Sequence, residues 1–124
     1  MDNTITNAFK EGLTTCGTGS NMGAADILEV FSIYGQASST SSELARTLVE
    51  FDTTAVTTAR SASAIPASGS VDFYLRMYDA EHVESTPRDF TLTVAAISQS
   101  WNEGTGLDMN NYTDLGEPNW IKAS

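Results

Sequence analysis

Alternation of apolar and polar positions is the strongest signal along this chain. Val71, Phe73, Leu75 and Met77 fall on one parity, and Asp72, Tyr74, Arg76 and Tyr78 on the other. That is the period-two pattern of a strand with one buried face. Phe90, Leu92 and Val94 alternate with Thr91 and Thr93 before Ala95-Ala96-Ile97 shifts the phase by one, which predicts a second strand with a β-bulge. A third is predicted where Thr47, Val49 and Phe51 alternate with Arg46, Leu48 and Glu50. The run from Asp26 to Tyr34 is apolar on both parities and rich in β-branched and aromatic residues, the pattern of a central sandwich strand. Residues 4–9, Thr-Ile-Thr-Asn-Ala-Phe, read as a short edge strand.

Between these segments lie two runs predicted as surface loops. Residues 17–23 are Gly-Thr-Gly-Ser-Asn-Met-Gly, and residues 36–42 are a small-polar, Ser-rich run expected neither to pack nor to hold a fixed turn. Residues 53–64 alternate Thr, Ala and Ser, with Val56 and Arg60 four apart, and predict one short helix capped by Asp52 or Thr53. It should end before Pro66, whose ring pushes the preceding residue out of the α region. The stretch 102–117 is rich in Gly, Asn and Asp without periodicity and reads as a long ordered loop. Strands joined by loops rather than by amphipathic helices predict an all-β fold, an antiparallel β-sandwich or jelly roll. Its 124 residues fit a single domain, 1–124. Residues 119–124 look like the opening of a further strand that stops short. The expectation is either that a neighbouring chain supplies its pairing or that the domain belongs to a longer polypeptide.

Composition agrees with the β reading, since 30 residues are Ser or Thr and only 18% are charged. The formal charge of −10 excludes function classes. Lys10, Arg46, Arg60, Arg76, Arg88 and Lys122 are scattered, so no basic cluster is present to neutralise several phosphates, and neither nucleic acid nor an anionic membrane is an expected partner. The acids fall at strand ends, at outward positions such as Glu50 and Asp72, and in 102–117, which suits a solubilising coat. No apolar window approaches the roughly 18 residues of a membrane span. Cys16, the one cysteine, has no intramolecular disulfide partner, which is compatible with folding in a reducing cytosol.

Candidate chemistry is sparse. Trp101-Asn-Glu103-Gly-Thr-Gly puts an aromatic face beside a carboxylate, which is how a sugar ring is gripped; Tyr112 and Trp120 extend the set. The competing structural reading has Trp101 plugging one end of the sandwich while Glu103 and Gly104 set a turn, and one Trp at a strand end is too common to specify a ligand. Trp120 is equally suited to pack on a partner chain. Asp108, Asp114 and Glu117 offer oxygens for Ca²⁺, but without the spacing of a calcium loop, so no metal and no cofactor is expected. His82 stands alone without a nucleophile motif, and the glycines at 17, 19 and 23 lack the lysine and the following helix of a phosphate loop. An enzyme is therefore not expected.

The order of these segments resembles the DNRLRE-type jelly-roll domains. An N-terminal Asp-x-Thr-Ile strand, a Gly/Asn loop followed by Ile27-Leu-Glu-Val30, then Ala45-Arg-Thr-Leu-Val-Glu-Phe-Asp52, then Val71-Asp-Phe-Tyr-Leu-Arg-Met-Tyr78 and finally Trp101-Asn-Glu-Gly-Thr-Gly106 follow that family's pattern over roughly residues 2–122. The motifs are short and chiefly structural. The chain departs from the family at the Ser-rich insert 36–42 and at the C-terminus, where the family continues into a further Trp-containing strand. Among these domains it looks most like those of virion structural proteins of tailed bacteriophages. The resemblance implies a non-enzymatic component that decorates or joins capsid, neck, tail or fibre, assembled in the host cytoplasm and carried in the virion. Other virion proteins and further copies of itself in a homo-oligomer or symmetric assembly would be its partners. The alternative is a carbohydrate-binding module of an adsorption fibre or secreted hydrolase, in which Trp101, Glu103 and Tyr112 hold a glycan.

Overall fold

A computed structural model of the chain describes residues 1–66, 69–81, 89–107 and 118–122. It is β-rich, with one antiparallel three-stranded sheet and one short helix. Two compact units are distinguished, Met1–Glu50 with Val94–Ser124, and Phe51–Thr93.

In the first unit the strand predicted around Thr47 becomes the centre of the sheet. β1 (Asp2–Thr6) and β2 (Ser32–Tyr34) flank β3 (Ser42–Val49) in the order β1-β3-β2. β1 runs antiparallel to β3 from Asp2 opposite Val49 to Thr6 opposite Ala45, and β2 pairs from Ser32 opposite Leu44 to Tyr34 opposite Ser42. β3 starts earlier than its alternation suggested and ends before Phe51, which is 66% exposed. β1 is an edge strand, as expected, but it stops at Thr6; beyond it Phe9 forms only an isolated bridge with Cys16.

The expectations for 26–34, 36–42 and 119–124 are corrected. The segment 26–34 is not a central strand: only its last three residues pair, at the sheet edge, and Ile27, Val30 and Tyr34 are exposed. A run apolar on both faces is buried on both faces only when a second layer covers it, and among the described residues none does. The Ser-rich run does hold a fixed turn. Gly35, at φ +77°, donates its N–H to the Ser41 carbonyl at 2.8 Å, and the Ser41 hydroxyl oxygen accepts from the Ala37 and Ser38 amides, closing the β2–β3 hairpin. Residues 119–122 form a turn rather than a strand, because the Asn119 side-chain oxygen accepts from the Ile121 and Lys122 amides at 2.9 and 3.0 Å while the Asn119 N–H donates to the Lys122 carbonyl.

In the second unit, α1 (Thr54–Ser61) occupies the predicted helical stretch. Of the two candidate caps, Asp52 supplies the bond, its Oδ1 accepting from the Thr54 amide at 2.8 Å, while the Thr53 side chain makes none. Arg60 stands in the last turn, where a cation suits the helix dipole. Beyond the Ala62 C-cap, Ser63 takes the left-handed conformation at φ +58° that ends many helices. No residue of α1 is buried.

The strand with the best alternation, 71–78, and the segment 90–97 form no ladder with any described residue. Phe73, Tyr74, Met77, Tyr78, Phe90 and Val94 are all exposed. Alternation specifies which faces a strand would present, but an ordered strand also needs a neighbour for its backbone groups and a layer over its apolar face.

Candidate functional site

The interior of the first unit is built from polar side chains. Among the described residues, Ile5, Ala8, Met22, Ala45, Trp101 and Pro118 are buried, alongside Asn3, Thr4, Thr6, Ser20, Asn21, Glu43 and Asn119. A buried polar group is tolerated when every donor and acceptor is matched. Asn3, on β1, accepts the Met22 amide on Oδ1 at 2.8 Å, and its Nδ2 donates to the carbonyls of Glu103 at 2.9 Å and Pro118 at 3.4 Å. One side chain thereby ties β1 to three segments remote in sequence.

Asn21 does the same for two loops. Its Oδ1 accepts the Gly106 amide at 2.9 Å, and the neighbouring Ala24 N–H donates to the Gly106 carbonyl at 2.9 Å. This approach of main chain to main chain explains the glycines there. A Cβ on Gly23 would lie 1.8 Å from the Glu103 carbonyl oxygen, and one on Gly106 would lie 1.9 Å from that of Asn21. Gly104 adds a φ of +82° that suits glycine. The loop 17–23, expected at the surface, is therefore interior: Gly17, Ser20, Asn21 and Met22 are all buried.

Trp101 is 7% exposed, so both faces of its ring belong to the protein interior rather than to a sugar-stacking surface. The Glu103 carboxylate accepts the Asp2 amide at 2.9 Å and stands 4.0 Å from the Met1 ammonium, which also donates to the Glu50 carbonyl at 3.0 Å. With both groups partly exposed this ion pair contributes little on its own; its role is to fasten the start of β1. Trp120 is half-buried, with the Arg46 guanidinium 4.5 Å from its ring centroid in a cation–π contact, and its backbone N–H donates to the Thr18 carbonyl at 3.1 Å. Tyr112, and with it His82, Asp108, Asp114 and Glu117, lies outside the described residues. Of the four aromatic and acidic residues singled out by sequence, Trp101, Glu103 and Trp120 are thus engaged with the chain itself.

Glu43, which no motif marked, is 1% exposed on β3. Its Oε2 accepts the Phe9 amide at 2.8 Å, and with the Gln36 amide oriented to suit its neighbours, Nε2 of that residue donates to both carboxylate oxygens at 3.1 Å. The signal available for Asn3, Asn21 and Glu43 was weak: polar residues inside or beside β-patterned runs, read by default as facing water. In the second unit an open depression is lined by Arg60, Ser63, Ala64, Ile65 and Pro66. Its one cation, Arg60, has a buried Nε without a hydrogen-bond partner. Among the described residues no group of three or more His, Cys, Asp or Glu is placed to hold a metal ion, and Cys16 is exposed. No described helix is long and apolar enough to cross a membrane.

What this arrangement does chemically is lock loops together through saturated hydrogen bonds, while presenting apolar side chains outward elsewhere. Comparison with protein-family models, with curated proteins and with solved structures gave no match to the chain.

Proposed function

We propose that this chain is a non-enzymatic structural module of a tailed-bacteriophage particle, a DNRLRE-type jelly roll that decorates or joins capsid, neck or tail by burying surface against other virion proteins. The observation that carries the reading is the density of exposed large apolar side chains. Phe51, Phe73, Tyr74, Leu75, Met77, Tyr78, Phe90 and Leu92 are all exposed within one unit of the chain. Scattered single exposures are ordinary, but so many on a segment patterned to bury a face mark a surface that meets another protein. The antiparallel sheet is consistent with a sandwich whose remaining strands pair on assembly. The resemblance in segment order supplies the placement in a phage particle.

Mass spectrometry and electron microscopy of purified particles test the reading: the protein should be present at a fixed stoichiometry and occupy symmetric positions. Absence from purified particles, together with specific retention of a glycan on an array, would replace it with the carbohydrate-binding alternative. Burial of Trp101 weighs against that alternative, because the ring proposed to stack on a sugar is inside.

A further inference from the structure

We propose that residues 71–78 are a self-pairing strand, through which two copies of this chain join antiparallel about a twofold axis centred on Tyr74. The inference rests on the reading that the chain works by assembly, and it names the partner as a second copy.

The backbone of 71–78 is open. Among the described residues none of these eight makes a hydrogen bond or ion pair, and none has a positive φ. Seven of the eight are exposed, Phe73 at 68% and Tyr74 at 85%. A row of unpaired amides and carbonyls flanked by alternating side chains is a template for another strand.

The sequence selects both the partner and the register. In an antiparallel pair, directly opposed residues share a face, so a self-pair keeps its apolar parity together only if the two opposed numbers have an even sum. With Tyr74 opposite Tyr74, Val71 meets Met77 and Phe73 meets Leu75 on one face, while Asp72 meets Arg76 on the other. By symmetry the carboxylate–guanidinium pair occurs twice. Shifting the register by two in either direction, to centre on Phe73 or Leu75, sets Asp72 opposite Tyr74 or Tyr78 and loses both charge pairs. A slip by one sets the apolar parity against the polar one. Asp79 falls opposite Gly69, so the next acid in the chain meets no like charge. Two copies of Tyr74 meet at the axis, an aromatic cross-strand pair.

An isologous contact of this kind closes at two copies. A pair of strands alone is marginally stable, so the free dimer is weak and concentration-dependent, and it strengthens when symmetric neighbours hold the copies together.

Crosslinking and sedimentation test it. In a Cys16→Ser background, Tyr74→Cys should oxidise to a disulfide-linked dimer, because the two Cβ atoms face each other across the axis, whereas Tyr78→Cys should not, since it faces Ser70 of the second copy. By analytical ultracentrifugation at low salt, Arg76→Asp should raise the dimer dissociation constant about tenfold, and the double variant D72R/R76D should restore it. Far-UV circular dichroism should match wild type in each, as the positions are exposed. A chain that stays monomeric at all concentrations with no crosslink at position 74, equal crosslinking at 74 and 78, or a double variant no better than Arg76→Asp alone would each overturn the self-pairing. Purified particles keep the two readings apart. Stoichiometric incorporation of a chain that never crosslinks at 74 rejects only the self-pairing, and a crosslinking dimer absent from particles rejects only the virion role.

Discussion

The unit formed by Met1–Glu50 and Val94–Ser124 buries Asn, Thr, Ser and Glu, whereas Phe51–Thr93 exposes Phe, Tyr, Leu and Met. In the first, loops reach each other closely enough for main-chain and amide groups to satisfy one another, and this specificity of direction substitutes for apolar volume. In the second, the hydrophobic pattern is textually better and structurally unspent, because no described neighbour accepts it. Burial is a property of partners, and an apolar side chain without one stays in water whatever its periodicity.

Four substitutions test this contrast. The largest effect belongs to Asn3. Asn3→Ala leaves the Met22 amide and the Glu103 carbonyl without their partner in a buried site, and should cost about 4 kcal/mol of stability, at about 1–3 kcal/mol for each group left unsatisfied. Urea denaturation followed by tryptophan fluorescence measures it, and a loss below about 1 kcal/mol would mean that water replaces the side chain there. Gly106→Ala comes next. Its Cβ would collide with the Asn21 backbone oxygen rather than with a movable side-chain end, so the two loops must separate, at a cost of about 3 kcal/mol. The same denaturation curve reads it, and a neutral result would show that the loop approach is not rigid.

Phe73→Ser carries the opposite expectation. With its ring exposed, monomer stability should change by no more than about 0.5 kcal/mol, while any self-association weakens. A multi-kcal/mol loss in the dilute monomer would show that Phe73 is covered within its own chain and would erase the contrast.

The smallest effect lies at Asp52. Hydrogen bonds from the Thr54 side chain and amide hold its carboxyl below the ordinary value of 3.8. A group depressed in the folded state gives its contribution in full above the unfolded value and loses it as pH falls through the folded one. Helicity of 54–61 should therefore be constant above about pH 4 and decline in more acid solution, a decline that Asp52→Asn should abolish. Chemical shifts of residues 54–57 across an acid titration decide this, and an unchanged profile in the variant would assign the acid sensitivity elsewhere.

Legibility in sequence followed whether the cause was local. α1 and its end before Pro66 were readable because a capping aspartate, the four-residue spacing of Val56 and Arg60, and a proline act within a few residues. β3 was readable because its alternation coincided with the centre of a sheet. The clasp of Asn3, Asn21, Gly23 and Gly106 was not, because its bonds join residues up to about a hundred positions apart and its residue types are those of ordinary turns. The same applies to Glu43, whose buried carboxylate accepts the amide of Phe9, 34 positions away. For Trp101 and Glu103 the sequence offered a sugar grip and a structural plug, and favoured the plug because one Trp at a strand end does not specify a ligand. Burial of the indole and the bond from the Asp2 amide place both with the interior and the fastening of β1.

Residue-level propensity, turn chemistry and charge were enough to give the β-rich character, the position of the one helix, the edge position of β1 and the net charge of −10, since each residue carries them wherever it lies. Only the tertiary structure decided which loops turn inward, which asparagines become the core, and that 71–78 keeps its backbone open. Those outcomes depend on which distant segments meet, and a hydrogen bond or a covering layer exists only once they do.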